Sequence, residues 1–369
     1  NGLDLADWKP FIGEVSPAGK VDVAAKVLSQ RAGKQLQFEA KVGVAGLTVV
    51  AATNRFTGIG ASLEARGEAT DLQQFKLASY AAQLAQNGQQ VLTADGTGSY
   101  DLPTQAAEAD LRAAVALPAL MQMLALPDVA ISAGNLQTQM QLKHRTNSDA
   151  VKGQMSLASF TGGFGTTKLT EFGLATDLDV VKLGNKVQLL KAVGSLSNGG
   201  KPGGSFDATG SFDLNTKAGD VTAKLADLNQ NALAPFLASA LGDKKLVSVA
   251  INSTLAASMT ANGDASAKAD LQVTNLVVND PTGTITSTPL EARVQADASV
   301  AKQVAQVRQL QLTLTPTERA KNQLGLTGTV DFSKTNAITG GLKLAADSLD
   351  VTRYYDLFAD KPTAAAAKP

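Results

Sequence analysis

The chain has 369 residues with 33 basic and 33 acidic side chains, and this zero formal charge argues against a nucleic-acid binder, which needs a basic stripe. Hydrophobic residues make up 44% and charged residues only 18%, while aromatics stop at 5%, so the apolar surface is built from Ala, Leu and Val. Cysteine is absent, which excludes disulfides, zinc–thiolate sites and thiol catalysis, and the length implies two or three domains or one extended body.

In chain order, Leu3–Ile12 opens with apolar spacings of three and four, Asp4 near its start and Pro10 inside, which predicts a short helix. Leu36, Phe38, Ala40, Val42 and Val44 then alternate with Gln37, Glu39, Lys41 and Gly43, the period of a strand with one solvated face. Phe75–Leu84 is only weakly periodic and is open to either helix or strand. Leu117–Leu124 predicts a second short helix. Leu136, Thr138, Met140 and Leu142 alternate with Gln137, Gln139, Gln141 and Lys143 as another strand. Asn231–Leu237 predicts a third helix. Strand alternation returns in Val247, Val249, Ile251, Leu255 and Met259, in Ala267, Ala269, Leu271 and Val273, and in Leu310, Leu312 and Leu314. Val300–Val307 is again open. Leu349–Phe358 predicts a fourth helix, and residues 361–369 read as a low-complexity Ala/Lys/Pro linker. Clusters such as Ser197-Asn198-Gly199-Gly200 and Asn279-Asp280-Pro281 mark turns.

A motif recurs through this succession. Thr97-Gly98-Ser99-Tyr100-Asp101, Thr209-Gly210-Ser211-Phe212-Asp213 and Thr327-Gly328-Thr329-Val330-Asp331 have glycines 112 and 118 residues apart. Leu63-Glu64-Ala65-Arg66 and Leu290-Glu291-Ala292-Arg293 mark a second recurring element. Two elements in the same order define a tandem array. The expected organisation is a repeat over 1–116 that begins with the helix 3–12, a second over 117–230, a third over 231–348, and the start of a further one over 349–360. Each holds one short helix and five or six strands. The chain opens inside such an element and has no signal-like apolar region, so it reads as a segment of a larger protein.

The expected fold class is mainly β, an elongated antiparallel sheet with a single apolar face. One short helix per repeat is too little to cover five or six strands. The sheet must therefore curl into a taco-like groove lined by its own apolar face, or fold into a chain of sandwiches. An open groove exposes more apolar surface than a monomer tolerates without a ligand. Its aliphatic wall suits acyl chains, and the expected lining residues are Leu36, Phe38, Val42, Leu136, Met140, Leu142, Val249, Ile251, Leu255, Leu271, Val273, Leu310 and Leu312.

No catalytic or metal-ligating set emerges, and the chain is expected not to be an enzyme and to need no cofactor. His144 is the single histidine and reads as a strand-end side chain, since no second His or Cys completes a triad or metal set. Ser299-Val300-Ala301-Lys302 matches S-x-x-K without its companion motifs. Gly58-Ile59-Gly60 and Gly163-Phe164-Gly165 lack the third glycine of a phosphate loop. The Asp of each Thr-Gly motif arrives too sparsely for a calcium site and is expected to begin a turn.

Leu349-Asp350-Val351-Thr352-Arg353-Tyr354-Tyr355 and Leu3-Asp4-Leu5-Ala6-Asp7-Trp8 resemble the L-D-L-x-x-[WY] element of the bacterial AsmA-like family, which includes the TamB-type proteins. In that family a Gly-bearing strand follows, as in Ala18-Gly19-Lys20-Val21 and Ser132-Ala133-Gly134-Asn135. The copies at Leu117–Leu124 and Asn231–Leu237 lack the aromatic pair and the acidic residue. The resemblance implies a repeating β-groove protein of the Gram-negative periplasm, tethered to the inner membrane by an anchor outside this segment. It also implies a phospholipid or other acyl-chain cargo, an outer-membrane partner and a role in outer-membrane assembly. Two rival readings are a closed-core adhesin or structural β-repeat, and an assembly factor that binds a protein strand along the sheet edge.

Overall fold

The computed structural model describes residues 2–8, 16–51, 54–124, 129–165, 167–281, 283, 288–334 and 337–358. Among them are nineteen β-strands, three α-helices and two 3₁₀ turns. None of these helices is long and apolar enough to cross a membrane. The chain divides into two compact units, Asn1–Gly165 with Leu169–Gly184, and Thr166–Lys168 with Asn185–Pro369.

The first unit contains β1 (Leu3–Asp4), β2 (Ser16–Gln30), β3 (Gln35–Ala51), β4 (Asn54–Thr70), β5 (Gln74–Gln86), β6 (Gln89–Asp101) and β7 (Ala106–Ala116). Helix α1 (Leu117–Leu124) follows, then β8 (Val129–Arg145), β9 (Ser148–Phe164) and β10 (Thr167–Leu183). Each strand pairs antiparallel with its neighbour in the chain. The second unit runs through β11 (Lys186–Asn198), β12 (Lys201–Asp213), β13 (Gly219–Asn229), helix α2 (Gln230–Leu241), β14 (Lys245–Met259) and β15 (Ala265–Asn279). It ends with β16 (Leu290–Ala301), β17 (Val304–Leu314), β18 (Gln323–Asp331), β19 (Thr339–Ala346) and helix α3 (Thr352–Phe358). The same neighbour-to-neighbour pairing holds throughout. The strands are antiparallel and are not closed into a barrel. Six strands lie between α1 and α2, and six between α2 and α3.

The hairpin turns explain the recurring motif. Asp101 accepts hydrogen bonds from the Thr104 amide (3.0 Å) and hydroxyl (2.6 Å), and Asp213 from the amides of Asn215 (2.9 Å) and Thr216 (2.8 Å). Asp331 accepts from the Ser333 amide at 2.8 Å. These bonds hold all three carboxyls below the usual aspartate range, those of Thr104, Thr216 and Ser333 leading in turn. Each Asp therefore starts its turn, as the sequence predicts. The motif glycines differ in role: a Cβ on Gly210 would stand 2.5 Å from the Asp220 carbonyl and one on Gly328 2.1 Å from that of Gly341, whereas Gly98 has ordinary room. Successive tips on this side also bond to one another. The Asp71 amide donates to Lys34 O (2.7 Å), Leu102 to Gln73 O (2.8 Å) and Gly184 to Asn147 O (2.9 Å) in the first unit. Leu214 to Asn185 O (2.8 Å) and Phe332 to Gln303 O (3.0 Å) do the same in the second.

Three local expectations change, and two open stretches resolve. Leu3–Ile12 is not one helix: Leu3 and Asp4 pair with Val21 and Lys20, and only Leu5–Trp8 turns, as a 3₁₀ element. Pairing with β2 takes the backbone groups that a first helical turn would use, and residues 9–12 lie outside those described. The third helix is longer than Asn231–Leu237, because the Asn229 side chain accepts from the Asn231 amide and caps a helix that continues to Leu241. The fourth begins only at Thr352, whose amide donates to Asp350 at 3.2 Å. Phe75–Leu84 lies within β5, and Val300–Val307 is a hairpin with Lys302 and Gln303 at its left-handed tip.

Candidate apolar ligand face

Directly paired residues of antiparallel strands point to the same face, so the registers assemble cross-strand rows. In the first unit one row reads Val27, Phe38, Gly67, Leu77, Gly98, Ala109, Leu142 and Val151. The rows on either side carry Ala40, Ala65, Tyr80, Leu111 and Met140, and Leu36, Ala69, Phe75, Tyr100 and Ala107. In the second unit a row runs Ala223, Leu255, Ala269, Ala296, Leu310, Leu326 and Leu344, and its neighbour runs Leu225, Ser253, Leu271, Val294, Leu312, Leu324 and Ala346. Each unit thus presents a sheet face that is apolar over many strands.

The opposite faces are polar and laced with cross-strand ion pairs. Lys41 meets Glu64 at 2.9 Å, and Arg66–Glu39 and Arg112–Asp95 lie on the same side of the first unit. In the second unit Arg293 meets Asp270 at 2.6 Å and Lys268 meets Asp297 at 3.0 Å. The bond from Arg293 holds the Asp270 carboxyl low, and that from Arg308 does so for Asp297. These pairs are solvent-exposed, and their main effect is to fix which face meets water.

Within the second unit α2 and α3 lie at the same end of the strands. Leu241 of α2 and Leu357 of α3 join Leu246, Val249, Val278 and Leu290 of the strands in a buried, packed core. Ile251, Val273 and Tyr354 pack against it. The Tyr354 hydroxyl donates to the Glu291 carbonyl and accepts from the Thr315 amide at 3.0 Å, so α3 is pinned to β16 and to the residue following β17. Asn322, fully buried, reinforces this: its Nδ2 donates to Thr315 O (2.7 Å) and its Oδ1 accepts from the Asp350 amide (2.6 Å). In the first unit α1 lies against β6, β7 and β8, and a Cβ on Gly134 would come within 3.2 Å of both Leu117 and Phe160.

Beyond the helices the apolar face has no cover among the described residues. In the second unit it holds a concavity of about 630 Å³ lined by Phe212, Val221, Met259, Ala267, Val300 and Val307. Leu255 and Leu142, each 39% exposed, show the character of this surface in the two units.

The predicted lining residues separate into two groups. Leu36, Phe38, Val42, Leu136, Met140 and Leu142 share the apolar face of the first unit, and Leu255, Leu271, Leu310 and Leu312 that of the second. Val249 is buried under the helices, and Ile251 and Val273 border it, so these three serve the closed end. Sequence reasoning missed the concavity: Met259 and Ala267 carry the strand parity, but Phe212 sits in a motif read for its turn, and Val300 and Val307 bound a stretch left open.

The weaker catalytic motifs resolve into structure. His144 Nδ1 lies 2.6 Å from Asp149 across the β8–β9 hairpin, with Lys182 3.6 Å from the same carboxylate, and the bond from His144 leads in holding Asp149 low. The Ser299 hydroxyl accepts from Arg308 at 2.8 Å, and the Lys302 amide donates to Asp264 at 2.8 Å. Among the described residues no group of three His, Cys, Asp or Glu is placed to hold a metal ion. Comparison with family models, curated proteins and solved structures gave no match to this chain.

Proposed function

We propose that this chain is a lipid-carrying segment whose apolar faces form a curled groove, built from tandem repeats of about 112–118 residues. Acyl chains lie against the aliphatic rows while headgroups stay in water. The observation that carries the reading is the one-sidedness of the sheet: rows of Leu, Val, Ala, Phe and Met left open beyond the helices, backed by a salt-bridged polar face. The 630 Å³ concavity over β12–β17 supports it, since most of its lining residues, among them Phe212, Val221, Met259, Val300 and Val307, are apolar. On the resemblance to the AsmA-like family, the cargo is phospholipid and the setting is the periplasm between inner and outer membranes. A closed-core adhesin would not leave Leu142 and Leu255 open.

The test is native mass spectrometry of the chain purified from bacterial envelope, followed by organic extraction. Leu142→Asp and Leu255→Asp are suitable variants because both positions face solvent in the empty protein. The fold then tolerates a carboxylate that a covering acyl chain would desolvate, at a cost of several kcal/mol. Several phospholipids per chain, lost in these variants, are expected. A folded wild-type chain that carries no lipid would refute the proposal.

A further inference from the structure

We propose that the concavity of the second unit is a discrete site for one acyl chain of a phospholipid, held stretched across the strands. The inference rests on the lipid-carrying reading and sharpens it, because it gives one chain a fixed place on the apolar face. The registers define the shape of that place. The cross-strand row through the motif glycine Gly210 continues as Val221, Ala257, Ala267, Ala298 and Val307 and reaches the next motif glycine, Gly328. Alanines on β14, β15 and β16 thus form a floor, with a valine at each end. On the side of the hairpin tips, Phe212, Met259 and Val300 rise from the adjacent row. On the inner side, Leu255 and Leu310 belong to the next row. The result is a trough that runs across the strands and accounts for the 630 Å³ concavity. Opposite both β16 and β18, β17 carries an extra residue at Arg308–Gln309, and a bulge of this kind bends the strand next to Val307. In the first unit the row through the motif glycine Gly98 has only Gly98 and Ala109 between Leu77 and Leu142, so its low stretch is shorter.

The dimensions select the occupant. Neighbouring strands lie about 4.8 Å apart, so Val221 on β13 and Val307 on β17 stand roughly 19 Å from each other. A bilayer's hydrocarbon core is about 30 Å thick, so the chains of one leaflet span roughly 15 Å. An extended acyl chain of membrane length therefore fits between the two valines. Same-face residues recur about every 6.7 Å along a strand, which puts the two flanking rows about 13 Å apart at the backbone. Their side chains narrow that gap to the width of a single chain. Along the strand direction the path from Ala257 meets Met259 one way and Leu255 the other, so a chain can extend only across the strands. The floor row carries no polar side chain, and a headgroup placed there would lose its hydration without a partner. Met259, half-exposed on the rim, has the unbranched and adaptable side chain that repacks around a hydrocarbon.

The test fills the trough without making it polar. Ala267→Leu with Ala298→Leu raises the floor, while Ala269→Leu with Ala296→Leu adds the same bulk one row inward, outside the concavity. Circular dichroism checks that both fold as wild type, and native mass spectrometry counts the lipids each carries from bacterial envelope. The filled variant is expected to carry one phospholipid fewer per chain than wild type, and the inward variant the wild-type number. A second measurement needs no variant. Delipidated wild type is mixed with vesicles of phosphatidylethanolamine bearing a diazirine on one acyl chain and is then photolysed. Label is expected on the peptides holding Met259 and Val300–Val307, several-fold above that on Leu36–Val44 of the first unit. A wild type that takes up no lipid in either experiment would sink the lipid-carrying reading and this site with it. A lipid-bearing wild type whose count is unchanged by filling, an inward variant that loses as much, or label spread evenly over both units would overturn the site alone. Loss of a free fatty acid in place of a phospholipid would overturn the assignment of the occupant.

Discussion

Replacing Asn322 by Ala should loosen the attachment of α3 over the closed end of the apolar face. The side chain, fully buried, bonds Thr315 O at 2.7 Å and the Asp350 amide at 2.6 Å, joining the segment after β17 to the one that leads into α3. A buried hydrogen bond contributes about 1 kcal/mol net, and each partner left unsatisfied raises the loss, so the two together are worth roughly 2–3 kcal/mol. The backbone adds to this. Asn322 has φ +57°, a left-handed conformation that Asn tolerates and Ala adopts at a further cost of about 1 kcal/mol. The expected destabilisation for Asn322→Ala is therefore about 3–4 kcal/mol. Asn322→Gly, which removes the side chain without the backbone penalty, should lose about 1 kcal/mol less. Urea unfolding followed by circular dichroism measures the total, and hydrogen exchange over 348–358 measures whether α3 opens first. A urea midpoint equal to wild type for Asn322→Ala would refute the reasoning.

Tyr354→Phe removes the hydroxyl that joins Glu291 O and the Thr315 amide and should cost about 1–2 kcal/mol in the same urea assay, with exchange rising in α3. Gly328→Ala places a Cβ 2.1 Å from the Gly341 carbonyl at φ +141° and should strip protection from β19, whereas Gly341→Ala meets nothing within 4 Å and should leave exchange unchanged. Asp101, Asp213 and Asp331 have folded pKa values below their ordinary 3.8, so they stabilise the fold above that value and lose the effect as pH falls through the depressed folded values. Unfolding midpoints should therefore be insensitive to these groups near neutral pH and fall below about pH 4. A triple Asp→Asn variant should show a shallower acid limb.

Much of the fold is written in alternation. Leu36–Val44 and Leu136–Lys143 become strands with the predicted faces, because period-2 patterning admits only one register once a face is apolar. Phe75–Leu84 is harder to read because β5 inserts an extra residue between Leu77 and Tyr80, which shifts the parity in mid-strand. The register shifts that flank Ser248 hide the fate of Val249 in the same way: its alternation places it on the sheet but not beneath a helix. Asn322 gives no sequence signal, since its bonds reach Thr315 and Asp350, groups set by the tertiary path of the chain. The concavity was illegible for the opposite reason. It is lined by small residues such as Ala265, Ala267 and Ala298, which mark where bulk is missing.

The pairing of every strand with its neighbour in sequence bears on how such a chain is made. In each unit no hydrogen-bonded ladder waits for a distant segment, so loop closure stays short and the conformational search is local. A strand can be satisfied as soon as the next hairpin has formed, which suits folding that advances from the amino terminus while the remainder is still being synthesised. During that advance one growing edge is always bare. The bonds between successive hairpin tips, such as Leu102 to Gln73, add to the attachment of each completed hairpin to its predecessor.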